Sequence, residues 1–183
     1  MFEQTKIDEA RYFLSKMEVS LNDRKSFCYE LSAFLSASRS VLQYVFEEVG
    51  GNTGSKPRDK LWYDTQVANN PIFKFFKDKR DVSVHETPVS PTAIINISVT
   101  HTLHISDSVA VEVQDKDLKI VPEATITPTP PTGMEPQPVS ASYEYNFPDW
   151  AGPEDVLILC KKYLDELDIF IKDGIGQGFL SKA

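Results

Sequence analysis

Phe27-Cys28-Tyr29-Glu30-Leu31-Ser32-Ala33-Phe34-Leu35-Ser36-Ala37-Ser38-Arg39-Ser40-Val41-Leu42-Gln43-Tyr44-Val45-Phe46-Glu47-Glu48-Val49 is the stretch on which the fold turns. Phe27, Leu31, Phe34, Ser38, Val41, Val45 and Val49 recur at the three- and four-residue spacing of one helix face. Cys28, Leu35, Leu42 and Phe46 widen that stripe. An apolar arc this broad serves two neighbours, so it predicts the central helix of a bundle rather than a cofactor box. Asn22 is read as its N-cap. Gly50-Gly51 supplies its stop.

Reading outward, Ile7, Ala10, Phe13, Leu14 and Met17 make Lys6 to Val19 an amphipathic helix. Gly50-Gly51-Asn52-Thr53-Gly54-Ser55-Lys56 is not a phosphate loop. Such a loop needs Lys directly after its last Gly and a strand before it, whereas Ser55 intervenes and a helix precedes. Pro57 opens a third helix to about Asn69, with Leu61, Trp62, Thr65 and Ala68 on one side. Asn70-Pro71 reads as a break. An aromatic knot of Ile72, Phe73, Phe75 and Phe76 follows, and Pro88 and Pro91 close the helical part. At the other end, Pro153 opens a final helix to about Asp173, striped by Val156, Cys160, Tyr163, Leu167 and Phe170. Gly174 is its expected stop.

Between these helices the period changes from 3.6 to 2. Ile95, Ile97, Val99, Leu103 and Ile105 alternate with polar residues, and Val109, Val111 and Val113 continue the row after Ser106-Asp107-Ser108. This predicts an antiparallel hairpin with one buried face, extended by a short strand from Leu118 to Val121. Six prolines between Pro122 and Pro138 mark an extended arm. Ser142 to Phe147 is a further strand, and Tyr143, Tyr145 and Trp150 make either a lid over the core, the favoured reading, or a binding surface. The expected fold is mainly α: a four- to five-helix bundle with a small antiparallel β-hairpin or sheet inserted before the C-terminal helix. It forms one domain over residues 1–183, with the bundle at 1–91, the hairpin or meander at 92–121, the arm at 122–141, and the short strand and closing helix at 142–183.

Composition narrows the function classes. The N-terminus lacks a basic region followed by an apolar run, and no stretch reaches the roughly 18 apolar residues of a membrane span, so a cytoplasmic protein without a membrane partner is expected. Cys28 and Cys160 fall on apolar helix faces and read as buried thiols. His101 and His104 are three apart in a predicted strand, where alternate side chains face opposite ways, so they do not make a metal site. No serine elbow and no Cys/His zinc spacing is present. Neither a metal nor a cofactor is expected.

Charge is uneven. The net is −8 over 183 residues. The window from Lys56 to Arg80 nevertheless holds seven basic residues (Lys56, Arg58, Lys60, Lys74, Lys77, Lys79, Arg80) against Asp59, Asp64 and Asp78. This window ends in Arg80-Asp81-Val82-Ser83-Val84-His85, the one stretch whose residue types suit chemistry. His titrates near neutrality and can take and give a proton. Arg offers a fixed cationic fork for a phosphate. In a helix, Asp81 would lie one turn before His85 and could hold its imidazole. Arg80 and His85, five apart, would then not share a face. They could meet only if the segment began in a loop or a second copy supplied the partner.

Arg80, Asp81 and His85 resemble the Arg-x4-6-His motif of HEPN domains, small helical bundles of toxins, CRISPR-associated nucleases and other defence systems. Arg11-Tyr12-Phe13-Leu14, the run from Tyr29 to Ser40, and Arg80 to Glu86 are similar to a group of bacterial and archaeal proteins of that class. The likeness covers less than half the chain and does not extend to the β insertion or the closing helix. It implies a metal-independent endoribonuclease in a toxin or defence setting, working as a homodimer on RNA. His85 would be general acid or base, Arg80 the stabiliser of phosphate charge, and Asp81 the orienting group. Lys74, Lys77 and Lys79 would guide the RNA backbone. The alternative is a non-catalytic HEPN-like dimerisation or binding module with a protein partner (antitoxin or effector) or a ligand. The chain's acidity favours that alternative. So does Thr87, which stands where some toxin members carry Tyr.

Overall fold

Apolar periodicity dictates the helices, and local capping chemistry sets their ends. The computed structural model of the chain describes residues 2–85, 88–99 and 139–181. Its elements are α1 (Phe2–Val19), α2 (Arg24–Glu48), a single 3-10 turn (Gly51–Thr53), α3 (Pro57–Asn69), α4 (Pro71–His85), β1 (Thr92–Val99), β2 (Val139–Asn146) and α5 (Val156–Gly176). The mainly helical reading holds, with five helices among the described residues and one two-stranded antiparallel sheet.

The chain divides into two units, one of Met1–Ile95 with Ser142–Ala183, the other Asn96–Ala141. The first is the bundle. The second contributes only residues 96–99 and 139–141 to the description, the ends of β1 and β2. The pairing of β1 with β2 joins the strand expected around Ile95 to the one expected around Ser142. The expected hairpin partner at Val109 to Val113, the strand at Leu118 and the proline arm lie outside the described residues, as do His101 and His104.

α2 is the centre of the bundle. Phe27, Leu31, Phe34, Leu35, Ala37, Val41, Leu42 and Val45 are all buried along it. α1 packs along one side through Ile7, Ala10, Leu14 and Met17. α5 brings Leu159, Cys160, Tyr163, Leu167 and Phe170 to the same core. Each such side chain contributes about 1.5–3 kcal/mol by leaving water. Aromatic rings fill the space between α3, α4 and α5. Phe76 stacks on Tyr163 at 4.2 Å and 4°, and Trp62 stacks on Phe170 at 4.7 Å and 6°. Phe73 meets Tyr163 and Phe170 edge-on.

Three boundaries differ from the sequence reading. α2 is capped by Asp23 rather than Asn22, its carboxylate accepting from the backbone N–H of Lys25 and Ser26. α5 begins at Val156 behind Asp155, whose carboxylate accepts from the Ile158 N–H, not at Pro153. α5 also passes through Gly174 instead of ending there. That glycine answers a packing need, because a Cβ on it would sit 2.6 Å from Trp62 and 2.7 Å from Leu180. Asn70-Pro71 is the break the sequence reading expects, α3 ending at Asn69, and a new helix, α4, starts directly after it at Pro71.

The lid expected from Tyr143, Tyr145 and Trp150 forms. Tyr145 stacks on Phe27 at 3.8 Å and donates its hydroxyl to the Leu21 carbonyl at 2.9 Å. Phe147 is buried beside Phe75 and Phe76. Trp150 packs edge-on against Phe75 and donates to Glu154.

Candidate functional site

α4 carries every residue that the sequence singles out for chemistry, so its start and continuity decide the geometry. Asn70 accepts on its side-chain oxygen from the backbone N–H of Ile72 (2.9 Å) and Phe73 (3.1 Å). Pro71, lacking an N–H, occupies the first turn where none is needed. From there the helix runs unbroken to His85. At about 100° per residue, Arg80 and His85 stand about 140° apart around α4, whereas Asp81 and His85 differ by about 40°. The segment thus contains no loop that could bring Arg80 and His85 of one chain to one face.

Arg80 Nη1 donates instead to Asp81 Oδ1 at 3.2 Å, with both side chains partly exposed. A pair this wet is worth at most about 1 kcal/mol. The side chain of His85, with Glu86 and Thr87, lies outside the described residues, and so does the expected contact of Asp81 with the imidazole.

The three lysines part company. Lys79 forms an ion pair with Asp149 at 2.6 Å and lies over the rings of Phe75 and Phe147. Its side chain is only 18% exposed, so it pins the turn after β2 rather than facing solvent. Lys74 and Lys77 are exposed. Together with Asp78, Asp81 and His85 they occupy about 100° of the helix circumference, away from Lys79. Arg80 stands outside that arc.

Lys74, Lys77 and Asp78 border a cleft of about 490 Å³ between α2, α3 and α4. α2 supplies Arg39, Leu42, Gln43 and Phe46, and α3 supplies Tyr63, Asp64, Val67 and Ala68. Arg39 projects from the central helix beside the core residues Ser38 and Phe34. Among the described residues, no acceptor reaches its buried Nη1, and the buried hydroxyl of Tyr163 has only a loose contact with Ser38. Burial pushes the Tyr63 phenol up, and the positive charge of Arg39 and its hydrogen bond to the phenol work against that shift. Burial pushes the Tyr163 phenol well up, again opposed by Arg39. Arg39 therefore sits at the inner end of the cleft, against two neutral phenols. Asp64 is held by Lys60 at 2.5 Å.

Arg39, Gln43 and Tyr63 were not singled out by the sequence. The available signal was Arg39 itself, a long cationic side chain directly beside Ser38 on a strongly apolar face. Among the described residues, no three His, Cys, Asp or Glu side chains converge as metal ligands, and no helix is long and apolar enough to cross a membrane. Both cysteines are free, Cys160 buried and Cys28 partly so, and burial raises both thiols. No family model, curated protein or solved structure matches this chain.

Proposed function

We propose that the chain is a non-catalytic, HEPN-like binding module. The observation that carries this reading is the course of α4. An unbroken helix turns Arg80 away from His85, and Arg80 spends its charge on the adjacent Asp81. A phosphate-stabilising Arg must aim at the position where charge develops, within hydrogen-bond reach of it. Within one chain, positions 80 and 85 stand about 140° apart around α4, which works against their sharing one phosphate. The capture of Lys79 by Asp149 removes one of the three proposed RNA guides and points the same way.

A second reading draws on a different observation. Lys74, Lys77, Asp81 and His85 share one side of α4, a row along which an RNA backbone could run. In a homodimer, the Arg80 of each copy could meet the His85 of the other, giving the metal-independent endoribonuclease that the motif implies.

Cleavage of labelled total RNA in EDTA separates the two, with the purified protein compared against an equally folded His85→Ala variant. The binding module is expected to leave RNA intact with either protein. Cleavage that persists in EDTA and disappears in His85→Ala would overturn it in favour of the nuclease.

A further inference from the structure

The cleft between α2, α3 and α4 contains a cost that folding alone does not explain. A buried guanidinium nitrogen without an acceptor destabilises the protein, since desolvating a charged donor is repaid only by a partner. Arg39 Nη1 is such a nitrogen, and it lies where a 490 Å³ cleft opens. Functional sites are where a chain tolerates a local violation of this kind.

The charges around the cleft specify what would satisfy Arg39. Arg39, Lys74 and Lys77 face Asp78 and Asp64, and Asp64 is already matched by Lys60. That leaves two positive charges in excess, one deep and one at the mouth. A carboxylate would match only one of them. A phosphomonoester carries about −1.5 to −2 at neutral pH and has several acceptor oxygens to reach more than one donor. Leu42, Phe46, Val67 and Ala68 supply an apolar wall beside the cations. The Phe46 ring is also the one over which Lys60 lies at 5.6 Å. The volume falls within the roughly 300–1,000 Å³ of small-molecule sites.

We infer that this cleft binds a small organic phosphomonoester, its phosphate on Arg39 with Lys74 and Lys77 closing over it, and its apolar body against Leu42, Phe46 and Val67. The inference rests on reading the chain as a binding module, to which it adds the site and the ligand class.

The test is titration calorimetry of the full chain with phenyl phosphate, with benzoate and inorganic phosphate as comparison ligands, alongside thermal melts. Phenyl phosphate should bind saturably in the millimolar range or tighter, more strongly than benzoate, and inorganic phosphate should compete with it. Arg39→Met should weaken phenyl phosphate by about tenfold or more, while the ligand-free variant melts at the same or a higher temperature, because a guanidinium with a buried, unbonded nitrogen has been replaced by an apolar side chain. Lys74→Ala/Lys77→Ala changes only exposed residues and should weaken binding without altering the melt. No saturation by phenyl phosphate, equal binding by Arg39→Met, or a lower melting temperature for ligand-free Arg39→Met would each overturn the site. His85-dependent RNA cleavage would instead sink the module reading and leave a phosphate-binding result standing, so the two failures are distinguishable.

Discussion

Two neighbouring residues of α3 meet the core through aromatic and polar groups in opposite ways. Trp62 is stacked on Phe170, and its indole N–H donates to Asp173 at 2.9 Å. The adjacent Tyr63 faces the cleft, beside a guanidinium whose inner nitrogen has no acceptor among the described residues. Both regions bury polar atoms under rings. The first completes its hydrogen bonds within the chain, as structural packing does. The second leaves them open where a ligand could enter. Satisfied polarity thus marks scaffold and unsatisfied polarity marks a candidate site.

That contrast can be broken from the scaffold side. Phe76→Ala should have the largest effect, because its ring stacks on Tyr163 and meets Phe34 and Phe147. A loss of about 3–5 kcal/mol is expected in denaturant unfolding. Gly174→Ala places a methyl into Trp62 and Leu180 and should cost about 1–3 kcal/mol, measured in the same way. If it proved neutral, the Trp62 end would be more plastic than its packing implies. Asn70→Ala removes the cap of α4 and should cost about 1 kcal/mol. A larger drop would assign weight to its second bond, to Glu166.

The smallest effect tests the lid. The bonds from Lys162 and Trp150 hold the Glu154 carboxyl down to about 2 from its ordinary 4.5. A depressed carboxyl contributes stability above its unfolded pKa and loses it as pH falls through the folded one. The wild type should therefore be slightly more stable than Glu154→Gln above about pH 4.5, and the gap should close toward pH 2. A gap that stays constant over this range would show that the carboxylate charge does not matter there.

Much of the fold is legible in the chain because it depends on local pattern. The Phe27–Val49 stripe identifies the central helix, since one face of a 3.6-residue period has to be covered. The change to alternation at Ile95 marks β1, and the Tyr-rich run marks β2 and the lid. The break at Asn70-Pro71 is legible, since α3 ends at Asn69, but the start of α4 directly after it is not, because a cap followed by a proline and a loop break use the same residues. Only the N–H groups that Asn70 caps tell them apart. Gly174 was misread for a similar reason: a helix stop and a close contact both call for a residue without a side chain.

The candidate site divides along the same line. The sequence by itself determines that Arg80, Asp81 and His85 lie close along the chain, that a basic window precedes them, and that α2 bears an Arg beside its apolar stripe. Only the tertiary structure decides that α4 is unbroken and so separates Arg80 from His85. It also decides that Lys79 is taken by Asp149, and that Arg39, Lys74 and Lys77 from two helices border one cleft. The physical reason is range. Helix period, capping and strand alternation depend on residues within a turn or two of one another. Which charges are paired, buried or left open depends on neighbours that packing brings together from distant parts of the chain.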